Sequence, residues 1–187
     1  VSGCNGIPAN LVVTVNPVPT ATASNQIICS GQSTAIVITN PNSVAGTTYT
    51  WTAVATNVTG ASAGAGNTIS QLLTSTDGIN NGSVVYTITP SGNGCPGPTF
   101  NVTATVKPVP VMTNSAASYS QQICSGQALA FVPTSTIGGA AFSWTSTVSG
   151  PITPGSVTVS GTGSVTDAPV NTGNVSGTVT YRITPSF

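Results

Sequence analysis

Four thiols and four charged side chains are all that this sequence offers for covalent or ionic chemistry. The thiols are Cys4, Cys29, Cys95 and Cys124, and the charges are Asp77, Asp167, Lys107 and Arg182, in 187 residues without a single histidine or glutamate. General acid–base catalysis needs titratable groups held in pairs, and two acids and two bases far apart in sequence do not make one. A serine or threonine nucleophile needs an adjacent base, and a reactive cysteine needs a histidine or a cationic neighbour. Calcium draws on several carboxylates and zinc on closely spaced cysteines; neither pattern occurs. Phosphate recognition rests on Lys and Arg, and the formal net charge is zero, so nucleic acid is not an expected partner. No apolar run reaches the roughly 18 residues of a membrane span. These absences argue against an enzyme, a cofactor or a metal. They leave disulfides as the candidate chemistry, in an extracellular and oxidising setting.

The elements that would position the thiols are strands. Runs such as Val84-Val85-Tyr86-Thr87-Ile88-Thr89 are β-branched and aromatic. Phe100, Val102, Ala104 and Val106 alternate with Asn101, Thr103, Thr105 and Lys107, the period of a strand with one buried face. Hydroxyl side chains stand where charges usually cover the solvent face. No signal peptide opens the chain, which starts partway through a strand-like pattern and reads as a piece of something longer.

One pattern occurs twice. Ile28-Cys29-Ser30-Gly31-Gln32, Tyr49-Thr50-Trp51-Thr52 and Val85-Tyr86-Thr87-Ile88-Thr89-Pro90 recur as Ile123-Cys124-Ser125-Gly126-Gln127, Phe142-Ser143-Trp144-Thr145 and Thr180-Tyr181-Arg182-Ile183-Thr184-Pro185. The offsets for the cysteine, tryptophan and tyrosine are 95, 93 and 95 residues. A further element, Gly3-Cys4 running to Asn16-Pro17-Val18-Pro19, returns as Gly94-Cys95 running to Lys107-Pro108-Val109-Pro110 at an offset of 91. The sequence therefore predicts the C-terminal strand of a preceding repeat in 1–19, a complete repeat in 20–110, and a second repeat in 111–187 that lacks its last strand. A period near 95 suits a whole domain rather than a solenoid unit.

Strands are expected near 20–25, 33–39, 47–55, 67–74, 83–89 and 99–107, separated by turns such as Asn40-Pro41-Asn42 and Asp77-Gly78. The fold class is all-β, a tandem of immunoglobulin-like sandwiches. Trp51 falls where strand C carries its buried tryptophan, and Tyr86 falls near the start of strand F, where a tyrosine corner sits. Ile36 and Ile88 take the places of the two core cysteines of antibody domains, and Trp144, Tyr181 and Ile183 repeat the landmarks. Core packing is the expected role of all of them, with carbohydrate stacking on the tryptophans as the alternative.

Together these motifs resemble the PKD-like repeats of Bacteroidetes cell-surface proteins, such as giant gliding-motility adhesins exported by the type IX secretion system. The likeness covers essentially the whole chain, although the Trp-Asp-Phe-Gly-Asp-Gly signature of ordinary PKD domains is absent, since Thr52-Ala53 follow Trp51. The resemblance implies a secreted structural segment of an adhesin or extracellular filament at the cell surface. Its partners would be further repeats of the same chain, neighbouring copies of the filament, and extracellular surfaces or polysaccharide. The alternative is a glycan- or protein-binding module. Linkers of the Pro-Val-Pro type favour semi-rigid polyproline II geometry.

Two expectations concern what is unpartnered. A repeat lacking its last strand exposes an edge, which the onward chain or a strand from a neighbouring molecule would cover. Cys29 enters strand B and Cys95 leaves strand F, at opposite ends of a sandwich in which B and F run the same way. Pairing between stacked repeats is therefore expected, with the next Gly-Cys loop falling near position 190. A Cys29–Cys95 bridge and free thiols are the alternatives.

Overall fold

The computed structural model describes residues 3, 4 and 6–187; Val1, Ser2 and Asn5, part of the stretch read as a preceding strand, lie outside the described residues. The first repeat contains β1 (Gln26–Cys29), β2 (Gln32–Ser33), β3 (Ile36–Val37), β4 (Thr48–Thr56), β5 (Val58–Thr59), β6 (Gly64–Ala65), β7 (Thr68–Ile69), β8 (Leu72–Ser75), β9 (Gly82–Gly92), β10 (Cys95–Pro96) and β11 (Phe100–Lys107). One sheet runs β1-β11-β9-β4-β6, with β10 folded back on β9. The other layer is made of β2-β8-β5, β3-β7 and a bridge between Thr22 and Thr39.

Strict alternation explains why β9 is the centre of this sandwich. Its Val84, Tyr86 and Ile88 are fully buried, as are Val102, Ala104 and Val106 of β11 and Ile69 and Leu73 of the other layer. Each such aliphatic side chain contributes roughly 1.5–3 kcal/mol by leaving water. Ile36 and Ile88 share this core, so an apolar contact stands where antibody domains have their inter-sheet disulfide.

The first strand differs from its expected form. Residues 20–25 make only the bridge at Thr22, and the chain then crosses to the other sheet, where β1 runs parallel to β11 with Cys29 opposite Lys107. The crossing buries Ile28 and covers the edge that β11 would otherwise expose. Short strand β6 lies within the Gly- and Ala-rich stretch 60–66, whose composition signals a turn, and β5 lies just before it.

In the second repeat β12 (Ala141–Ser149), β13 (Ser160–Thr162) and β14 (Thr178–Ser186) form a sheet in the order β13-β12-β14. A 3-10 turn at Ala116–Tyr119 precedes it, and bridges at Met112–Ser135, Phe131–Val165 and Ile152–Asn171 tie the remaining chain together. Trp144 pairs with Ile183 across β12 and β14 as Trp51 pairs with Ile88 across β4 and β9. Among the described residues nothing pairs with the other edge of β14. In consequence Val179, Tyr181 and Ile183 are only half-buried, although their counterparts in β9 are sealed.

Candidate functional site

Both tryptophans are core residues. Trp51 and Trp144 are each 7% exposed, and each lies over a cross-strand glycine: a Cβ on Gly64 would sit 2.6 Å from the Trp51 ring, and one on Gly161 would collide with Trp144. Neither indole N–H has a hydrogen-bond partner. With their rings covered, they offer no platform for a sugar.

Tyr86 does not form the tyrosine corner expected from its position. It sits in the middle of β9, and its hydroxyl donates to Oε1 of Gln71 at 2.9 Å instead of to the main chain. Gln71 in turn accepts from Ser62 N and donates to Ser62 O and Oγ. In the second repeat the same knot is built with a carboxylate. Tyr181 donates to Asp167 Oδ2 at 2.7 Å, and Asp167 accepts from both the main-chain N–H and the hydroxyl of Thr158. Burial, the Asp167 bond and the Asp167 charge together raise the Tyr181 phenol well above its ordinary value. Partial burial opposes ionisation of Asp167, but the bonds from Thr158 and Tyr181 win and hold its carboxyl below the usual range. Asp167, isolated in sequence, is thus a structural hub; the signal was its place 14 residues before the landmark tyrosine, near that of Gln71 before Tyr86.

The other charges have local roles. Asp77 accepts bonds from Ile79 N, Asn80 N and Asn80 Nδ2, which fold the turn ahead of β9 and lower its pKa, chiefly through Asn80. Among the described residues no three His, Cys, Asp or Glu side chains cluster where a metal ion could sit. Among the described residues no helix is long and apolar enough to cross a membrane.

The cysteines mark the ends of the sandwich. Cys29 lies opposite Lys107, next to the Val106–Gly82 pair, whereas Cys95 lies opposite Gly92. The length of β9 separates them, about 33 Å at ~3.3 Å per residue. A disulfide needs Cα atoms within roughly 7 Å, so this fold keeps the two apart. All four cysteines are free, and Cys4, Cys29 and Cys124 are exposed.

Two junctions flank the first repeat. On entry, Pro19 is buried against Gly97, where no Cβ fits beside the Pro19 carbonyl, and Asn16 Nδ2 donates to Asn93 O at 3.0 Å. On exit, the Lys107 ammonium stands 5.1 Å from the ring centroid of Phe187. Asn16 and Lys107 are equivalent in the repeat, and both touch the far end of the following repeat's β9-type strand.

Two sandwiches of this kind in tandem define an immunoglobulin-like, all-β repeat protein. The chain belongs to the PKD-like domain family, whose model matches residues 26–110 and again 121–187. A solved structure titled "Crystal structure of Dpr11 IG1 bound to DIP-gamma IG+IG2" is similar at 11% identity and a TM-score of 0.31, over 90% of this chain and 98% of that one. Comparison with curated proteins gave no match.

Proposed function

We propose that this chain is a load-carrying segment of an extracellular filament or stalk at the cell surface, built from sandwiches stacked end to end, in the manner of the gliding-motility adhesins its motifs resemble. One observation carries the reading. The first repeat is entered at its β9–β11 hairpin end and left at the opposite end, and at both junctions an equivalent residue, Asn16 or Lys107, reaches the far end of the next β9-type strand. Such a unit lengthens by addition. The Pro108-Val109-Pro110 linker, with Pro108 buried, stiffens the join. The surface carries only four charged residues, so it has little long-range electrostatics for salt to screen. Partners of this segment are further repeats, with extracellular surfaces or polysaccharide contacted elsewhere on the filament.

The competing reading, a glycan-binding module, loses its best anchors because Trp51 and Trp144 are covered. Small-angle scattering from the chain tests the proposal. An elongated particle with two resolved lobes is expected, and a single compact globule would sink it.

A further inference from the structure

Arg182 is the one charged residue with no part in holding the sandwiches together. Asp77 folds the turn ahead of β9, Asp167 holds the knot at Tyr181, and Lys107 reaches Phe187 across the junction. Both carboxylates are thus engaged away from Arg182, Asp77 with Ile79 and Asn80 and Asp167 with Thr158 and Tyr181. Side chains alternate along a strand, so with Tyr181 and Ile183 turned inward, Arg182 and Thr184 stand exposed on the outer face of β14.

The strand registers set its neighbours. Arg182 lies opposite Thr145 of β12, and Thr145 lies opposite Ser160 of β13; two residues along, Thr184, Ser143 and Thr162 make the next row. Together the two rows line an open groove of about 520 Å³, floored at Trp144 and Gly161. The lining offers one cation and five hydroxyls, and its only apolar side chain is the covered Trp144. All of it belongs to three strands paired with one another, on the β12 side of β14, so the groove is the same whatever pairs with the other edge of β14. The first repeat supplies an internal comparison. Its equivalent rows are Thr87–Thr52 and Thr89–Thr50–Ala65, with no cation and with alanine in the place of Thr162.

We propose that this groove binds an acidic polysaccharide, with Arg182 taking the carboxylate of a uronic acid residue and the Ser and Thr side chains taking sugar hydroxyls. Charge complementarity selects the occupant. A guanidinium is a planar fork that meets a carboxylate with two parallel hydrogen bonds, and the other lining groups are hydroxyls that both donate and accept. A uronate chain presents one carboxylate among several hydroxyls on every sugar, which is the mixture the groove offers in return. Neighbouring hydroxyls stand ~4.8 Å apart across the strands and ~6.8 Å apart along them, so one sugar ring reaches more than one. A protein partner would look for an apolar or aromatic anchor point, which this lining lacks. The face also stays free in a rod, because end-to-end stacking consumes the ends of the sandwiches and not their sheets. The proposal goes beyond the rod reading, which draws polysaccharide contacts from elsewhere on the filament, and adds one on this segment.

The test is an NMR titration of the 187-residue chain with oligogalacturonate. Amide shifts are expected around Thr145, Ser160 and Arg182, and not around Thr52 and Thr87 on the matching face of the first repeat. Arg182→Thr copies the residue that the first repeat carries at Thr87, so the strand survives, and binding should weaken about tenfold or more. Arg182→Lys keeps the charge but loses the fork, and should weaken binding nearly as much. Thr162→Ala, a copy of Ala65, should weaken it less. A neutral glucan oligomer of the same length should leave the spectrum unchanged. Absence of binding, or shifts spread equally over both repeats, overturns the proposal. Full affinity in Arg182→Lys, or equal binding of a sulfated glucan, overturns it too, since charge alone would then account for the contact. Each of these results leaves the rod standing, because small-angle scattering tests the rod by itself.

Discussion

Gly64 and Gly161 show how tightly single residues are specified in these sandwiches. Each gives its side-chain space to the tryptophan across the strand pair, and both indole N–H groups stay unpartnered. Gly64→Ala forces the Trp51 ring off its position, and overpacking of this kind costs about 1–3 kcal/mol. Denaturant unfolding of the variant should show that loss, and unchanged stability would mean that the ring has room to move. The tyrosine knots set a second constraint. Tyr181 has a raised phenol pKa, so its contribution is complete below the ordinary tyrosine value near ~10 and fades as pH climbs above that. Asp167 has a lowered pKa, so its contribution is present above the ordinary carboxylate value and fades as pH falls through the lowered one. A phenolate difference spectrum against Tyr181→Phe should place Tyr181 well above free tyrosine, and Asp167→Asn should bring the midpoint down. A Tyr181 that titrates like free tyrosine would remove the carboxylate from its environment. The landmarks Trp51, Tyr86, Ile88, Trp144, Tyr181 and Ile183 were legible from spacing because alternation puts them on one face. The knots were only half legible: Gln71 and Asp167 stand 15 and 14 residues before their tyrosines, but that spacing does not say that they reach the phenols across the sandwich.

Among the elements, the strands that read most easily were those with long alternation, β4, β9 and β11. Their inward residues are apolar at every second position, and one register satisfies them all. The short elements were hidden for the opposite reason. In β5 and β6 two residues each carry the pairing, too few for alternation to show, and the Gly64-Ala65 of β6 signals a turn. The switch of the first strand from one layer to the other was hidden too, since Thr20–Asn25 shows no break in composition and the reason for crossing is the bare edge of β11. That edge logic yields a comparison inside one molecule. The outer edge of β9 is paired along Val84–Ile88, while the equivalent edge of β14, around Val179–Ile183, is open in the isolated chain. Backbone amides on an open edge exchange through local fluctuations at little cost. Hydrogen exchange should therefore be markedly faster in β14 than in β9. Equal protection in the two strands would mean that the edge is already covered.

For the whole molecule, the question is what keeps one sandwich aligned with the next. The Lys107–Phe187 contact is exposed, and an exposed cation–π pair is worth about 0.5–1 kcal/mol. That biases the joint by less than tenfold, too little to hold a rod straight on its own. The linker is the stronger device. Pro108 is buried and Pro110 half-buried, and each fixes its own φ near −65° and pushes its predecessor toward extended geometry. Three residues in which two carry that restriction leave few directions for the next domain. Replacing both prolines, Pro108→Gly with Pro110→Gly, should widen the distribution of distances between spin labels placed on β4 and β12, without altering either sandwich's own unfolding signal. Lys107→Ala should widen it far less. If the lysine variant loosens the joint as much as the glycine pair, surface contacts and not the linker set the alignment.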